Sequence, residues 1–167
     1  MQKCGGFKMT DLRSKTVCFT GHRSIAPTEL PGISRRLEET LSALIGQGYR
    51  YFGAGGALGF DTLAAQTVLR LRERCPQIRL ILVLPCLDQT RGWRQSDIDV
   101  YEDIKRRADK VTYTSRDYFG GCMQKRNRHL VDNSAVCVCC LTKSVGGTAY
   151  TVDYARRMGL RIINLAL

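Results

Sequence analysis

The chain has 167 residues, 44% of them apolar and 25% charged, and a formal net charge of +11. This is enough for one domain with a proper core, and the longest strongly apolar strand run, Leu80 to Leu84, is far too short to span a bilayer. The positive charge concentrates nucleotides, nucleic acids and other anions around the protein, but it supplies attraction and not a site.

Residues 1–14 lack the apolar stretch of a signal peptide and read as a loose tail, so a cytoplasmic protein is expected. A single domain follows over residues 15–167. Thr16 to Thr20 is a first strand that exits into Gly21, His22 and Arg23. Ile33, Leu37, Leu41, Leu44 and Ile45 recur at helical spacing up to Gly46. Tyr49 to Phe52 reads as a second strand. It breaks into Gly53, Gly55, Gly56 and Gly59, and a helix follows from Asp61. Ile78 to Leu84 is a continuous apolar strand of the kind buried on both faces of a parallel sheet. Its polar exit carries the single tryptophan, Trp93. Ile98 to Ala108 reads as a helix and Val111 to Thr114 as a strand. A basic helix, Met123 to Asp132, leads to a buried strand, Ala135 to Leu141. Gly146, Gly147 and Thr148 then open a helix from Ala149 to Met158, and Arg161 to Leu165 closes the chain. Strand and helix alternate throughout, which predicts an α/β fold: a Rossmann-like three-layer sandwich with a mostly parallel sheet.

A strand that breaks into glycines and re-enters as a helix leaves bare N–H groups at the positive end of a helix dipole, a place that receives phosphate. Two such loops occur, at Gly55, Gly56 and Gly59 and at Gly146 and Gly147. A tight turn explains either loop alone. Neither is a dinucleotide fingerprint, since Leu58 stands where the third glycine belongs, and neither has the Gly-Lys-Ser/Thr of a P-loop. Apart from Cys137 and Cys140, which fall inside an apolar strand run, the eight cysteines contain no Cys-x-x-Cys pair, and no matching histidine pattern accompanies them, so they read as reduced thiols without a metal. Cys86 has a more exposed setting than the strand cysteines, but no activating base is visible.

Five ordered motifs carry a resemblance. They are TGHR, GAGGALGFD, a P-x-x-x-Q-x-x-x-W strand exit, KRNRHLVDNSA and GGTAYTVDYARRMG. Over about residues 15 to 165 the chain resembles the SLOG superfamily, and within it the YpsA-like branch. The superfamily also holds the DNA-processing protein A family and the LOG-type phosphoribohydrolases. The resemblance implies a site for a nucleotide or nucleotide-derived ligand, ADP-ribose-like molecules included.

The expected binding residues are Gly21, His22, Arg23, Gly55, Gly56, Gly59, Asp61, Trp93, Arg126, Asn127, Gly146, Gly147 and Thr148. Asp61 serves equally well as a helix N-cap, and Trp93 either stacks on a base or closes its loop. LOG-type enzymes place a glutamate three residues after the threonine of their glycine motif. Thr151 stands there in this chain, which leaves Asp61 and Asp153 as weak catalytic candidates and favours a binding or sensing module over an enzyme. The alternatives are a LOG-like phosphoribohydrolase acting on nucleoside monophosphates and single-stranded DNA binding like that of DNA-processing protein A. An aromatic stacking row for DNA is not evident in the sequence. The expected partners are thus a nucleotide-derived small molecule and, on charge, nucleic acid. No membrane is expected, and a homo-oligomer is compatible with the sequence.

Overall fold

A computed structural model of the protein describes residues 12–166. Eleven elements alternate: β1 (Thr16–Gly21), α1 (Leu30–Gly46), β2 (Tyr51–Ala54), α2 (Phe60–Arg74), β3 (Arg79–Leu84), α3 (Gln95–Arg107), β4 (Lys110–Tyr113), α4 (Cys122–Asp132), β5 (Val136–Cys140), α5 (Gly147–Arg157) and β6 (Arg161–Asn164). The strands form one six-stranded sheet in the order β4-β3-β2-β1-β5-β6, and every pairing is parallel. The Rossmann-like α/β expectation holds, with the sheet parallel throughout.

Alternation along the strands sorts the core into two layers. Val17, Phe19, Leu80, Leu82, Leu84, Val136 and Val138 pack with Leu37, Leu41, Phe60 and Val68 beneath the first three helices. Cys18, Val83, Cys137 and Cys139 face the other way, against Leu130 and Val131 of α4 and Val152 and Ala155 of α5. Cys18, Cys137 and Cys139 therefore fill the thinner layer as small apolar groups, while Cys140 joins the other.

Several boundaries differ from the sequence expectation by one to three residues, the last helix opening at Gly147 and not at Ala149, and two of the shifts have a clear physical reason. Gly53 and Ala54 are poor strand formers, yet they pair with Ile81 and Leu82, so β2 lies two residues later than its aromatic signal. α3 begins at Gln95, before any apolar period, with Asp97 in its first turn where the helix dipole favours a carboxylate. Of the expected N-terminal tail, residues 1–11 lie outside the described residues. Residues 12 and 13 are helical and residues 14 and 15 turn into β1, and Arg13 Nε donates to the Ser134 carbonyl at 3.3 Å.

The strand order positions the site. From β1 the chain walks outward through β2, β3 and β4, then α4 carries it back so that β5 pairs on the other side of β1. The connections leave β1 and β5 in opposite directions, and a crevice opens beyond the carboxyl ends of these two strands.

Candidate functional site at the carboxyl ends of the strands

The crevice is a cleft of about 250 Å³ whose walls include Gly21, His22, Arg23, Asp61, Arg126, Asn127, Gly147 and Thr148. Eight of the thirteen expected binding residues thus meet at one place, from β1, α2, α4 and α5. Thr20, Ala57 and Met123 complete the wall; none of the three carries a chemical signal in the sequence.

Arg126 is the electrostatic centre. It is 3% exposed, although it belongs to the basic helix. Its Nη1 donates to the Gly55 carbonyl, its Nε donates to Asn127 Oδ1 at 2.7 Å, and its Nη2 reaches Met123 Sδ at 3.7 Å. No carboxylate lies within ion-pairing distance of it among the described residues. Burial pulls the guanidinium below its ordinary pKa, and the neighbouring Asp61 opposes that shift. Arginine remains charged in such settings, so a buried positive charge faces the cleft.

Asp61 is the only carboxylate in the wall. Burial pushes its pKa up, while Arg126 and Arg23 oppose the shift. It is not an N-cap, because Gly59 holds that position. Asp61 Oδ2 instead accepts from the Ala57 N–H at 3.3 Å, and Thr62 Oγ1 donates to the Ala57 carbonyl at 3.0 Å. The first glycine loop is therefore held by the protein's own carboxylate and hydroxyl.

The glycines of that loop are accounted for by packing. A Cβ on Gly55 would fall 2.5 Å from the Arg126 guanidinium, and one on Gly56 would fall 2.6 Å from Leu84. A Cβ on Gly59 would strike the backbone of Arg23. Gly55, Gly56 and Gly59 shape the cleft from behind and do not line it. The second loop differs. A Cβ on Gly147 meets nothing within 4 Å, so the space before the N-terminus of α5 is left open by the protein. Gly146 has φ +110°, a conformation that favours glycine.

The remaining candidates divide. His22 lines the cleft, and its Nε2 accepts from the Thr142 N–H at 3.0 Å, tying the end of β1 to the loop before α5. Trp93 lies in an adjoining hollow of about 400 Å³, lined also by Arg23, Gln89, Tyr118 and Met123, and its ring packs edge-on against Tyr101 at 5.6 Å. Asp153 is exposed, pairs with Arg156 at 3.2 Å and stays out of the cleft wall. Thr151 is buried: its hydroxyl donates to the Gly147 carbonyl at 2.9 Å and accepts from Asn127 Nδ2 at 3.0 Å. Cys86 corrects the sequence reading. It is fully buried, and burial pushes its thiol up to about 11. Among the described residues no three His, Cys, Asp or Glu side chains are grouped so as to hold a metal ion. No helix among the described residues is long and apolar enough to cross a membrane.

A parallel sheet with helices on both faces and an arginine- and glycine-lined crevice where the strand order reverses makes this a Rossmann-like α/β protein. The chain belongs to the YpsA SLOG family, whose model matches residues 17–161. It is 34% identical over 104 residues to a UPF0398 protein of Halalkalibacterium halodurans, a match spanning 61% of this chain and 55% of that one. A UPF0398 protein of Bacillus thuringiensis is 27% identical over 155 residues, covering 87% of this chain and 84% of the relative. Among solved structures, the single-stranded-DNA-binding DNA processing protein A of Helicobacter pylori superimposes with a TM-score of 0.63. That match covers 95% of this chain and 67% of the other at 20% identity, a likeness of fold.

Proposed function

We propose that the protein binds a nucleotide or nucleotide-derived ligand in the crevice, with a phosphate before the N-terminus of α5 and the nucleoside extending past Arg23 into the hollow beside Trp93. The observation that carries this reading is the open space at Gly147 opposite the buried charge of Arg126. A helix N-terminus and a buried guanidinium converging on one cavity suit a phosphate: the N–H groups point outward, and the arginine supplies a fork of donors. Arg23 and Met123 border both the crevice and the hollow, so the two spaces adjoin.

The reading is a binding or sensing module. Splitting an N-glycosidic bond requires a charge placed against the oxocarbenium-like sugar, usually a carboxylate. Thr151 offers none, Asp153 faces solvent, and Asp61 is occupied with Ala57 and raised in pKa by burial. Purified protein incubated with AMP is expected to show a ligand-induced thermal shift and no free adenine by chromatography. Rapid adenine release that is lost in Asp61→Asn would make the protein a phosphoribohydrolase.

A further inference from the structure

Arg70, Arg74, Arg72, Arg79, Lys105, Arg106, Arg107 and Arg156 are each paired with a carboxylate. Arg23, Arg91, Lys125 and Arg128, which border the spaces at the carboxyl end of the sheet, have no ion pair within 4.0 Å among the described residues. Of the four exposed aromatic side chains among the described residues, Tyr118, Phe119 and Tyr150 lie along these same spaces, and Tyr113 does not. Exposed aromatics interleaved with unpaired cations are the surface that single strands use, with bases on the ring faces and phosphates on the cations.

The feature with this composition is an open groove of about 650 Å³ between the N-terminal ends of α4 and α5. Phe119, Lys125, Arg128 and Tyr150 line it, and no carboxylate does. Its aromatics are held in place. Lys125 Nζ sits 5.9 Å from the centre of the Phe119 ring, and Arg128 Nη1 donates to the Tyr150 hydroxyl at 3.2 Å. Gly147 belongs both to this groove and to the crevice, so a phosphate there has a hollow on either side.

We infer that the groove is a second subsite, for the next nucleotide of a single strand, and that the ligand is an oligonucleotide end with one phosphodiester at Gly147. This rests on reading Gly147 as the phosphate seat. The strand runs from the hollow beside Tyr118, past Gly147, onto Tyr150 and Phe119, with Lys125 and Arg128 on its backbone. A shallow, open groove suits a polymer held at many points better than a small molecule, which needs enclosure.

The test is calorimetric titration of the full chain with dAMP, 5′-phosphorylated di- and tetra-deoxyadenylate, and ADP-ribose. The dinucleotide is expected to bind at least about fivefold more tightly than dAMP, the gain of one stacked base. A Lys125→Ala/Arg128→Ser/Tyr150→Ala variant, altered only at side chains facing this groove, is expected to lose that gain and keep its affinity for dAMP. The slope of log affinity against log salt for the tetranucleotide should fall by about 1.4, near 0.7 for each lost phosphate contact. Equal affinities for dAMP and the dinucleotide in the unaltered chain, or an undiminished gain in the variant, would overturn the inference. So would a gain confined to ADP-ribose. Failure of the seat itself reads differently: Gly147→Asp would leave dAMP affinity unchanged.

Discussion

Arg126 and Gly55 determine one another. The guanidinium donates to the Gly55 carbonyl, and the space it occupies is the space a side chain on Gly55 would need, with a Cβ falling 2.5 Å away. Gln89 Nε2 donates to the same carbonyl at 3.1 Å and is itself held by the Tyr101 hydroxyl at 3.2 Å, so the β2 exit is fixed from two sides. From Arg126 the bonds continue through Asn127 and Thr151 to the Gly147 carbonyl. The two glycine loops, far apart in sequence, are thus joined by one chain of hydrogen bonds through α4.

Gly55→Ala should therefore act through Arg126. Displacing a packed side chain costs about 1–3 kcal/mol, and ligand binding should fall with it. In an Arg126→Met background the same substitution should cost much less, because the obstacle has gone; a double-mutant cycle by urea unfolding measures the coupling. Additive effects of the two substitutions would show that the residues are independent.

His22 gives the site a pH dependence. Burial, with Lys143 nearby, lowers its pKa from the usual imidazole value of about 6.5. The folded state therefore favours neutral His22, whose Nε2 accepts from the Thr142 N–H. The sign follows from linkage: this stabilisation is fully present above about pH 6.5 and is lost as pH falls through the lowered folded value. Hydrogen exchange at the Thr142 amide, corrected for the intrinsic pH dependence, should show protection at pH 7.5 that declines toward pH 5. His22→Leu should remove both the protection and its pH dependence.

The cysteines make a simple prediction. Cys18, Cys86, Cys122, Cys137, Cys139 and Cys140 are buried, and Cys75 is half-buried. Hydrogen bonding with Cys139 and Cys18, together with burial, raises the Cys137 thiol well above its usual range. In a Cys4→Ser background, a maleimide at pH 7.5 should modify Cys75 alone in the folded protein and all seven thiols in guanidinium. Rapid labelling of Cys86 under native conditions would contradict its burial.

Hydrophobic period and glycine punctuation made all six strands and five helices legible, because a parallel sheet buried on both faces writes long apolar runs such as Leu80–Leu84. The strand exits then placed Gly21, Arg23, Arg126, Asn127 and Gly147 together. What the sequence could not convey was why each glycine is there. Gly55 and Gly147 look alike in the chain, yet one makes room for an arginine 71 positions away and the other faces empty space. Nor did KRNRH reveal that Arg126 turns inward while Lys125 and Arg128 turn to the groove, since that depends on how α4 is rotated over the sheet. The grouping of Tyr118, Phe119 and Tyr150 was equally hidden, because it is assembled from one loop and a helix distant in the sequence.

The central claim is that a phosphate group sits at Gly147, and Gly147→Asp tests it most directly. A Cβ at Gly147 meets no atom within 4 Å, and a carboxylate in the first turn of a helix interacts favourably with its dipole, by about 0.3–1 kcal/mol. The unliganded variant should therefore be at least as stable as the parent chain. Its carboxylate would occupy the anion seat and repel phosphate. Calorimetric titration of both proteins with dAMP is predicted to show binding to the parent and none to the variant. Undiminished dAMP affinity in a folded Gly147→Asp protein would contradict the account.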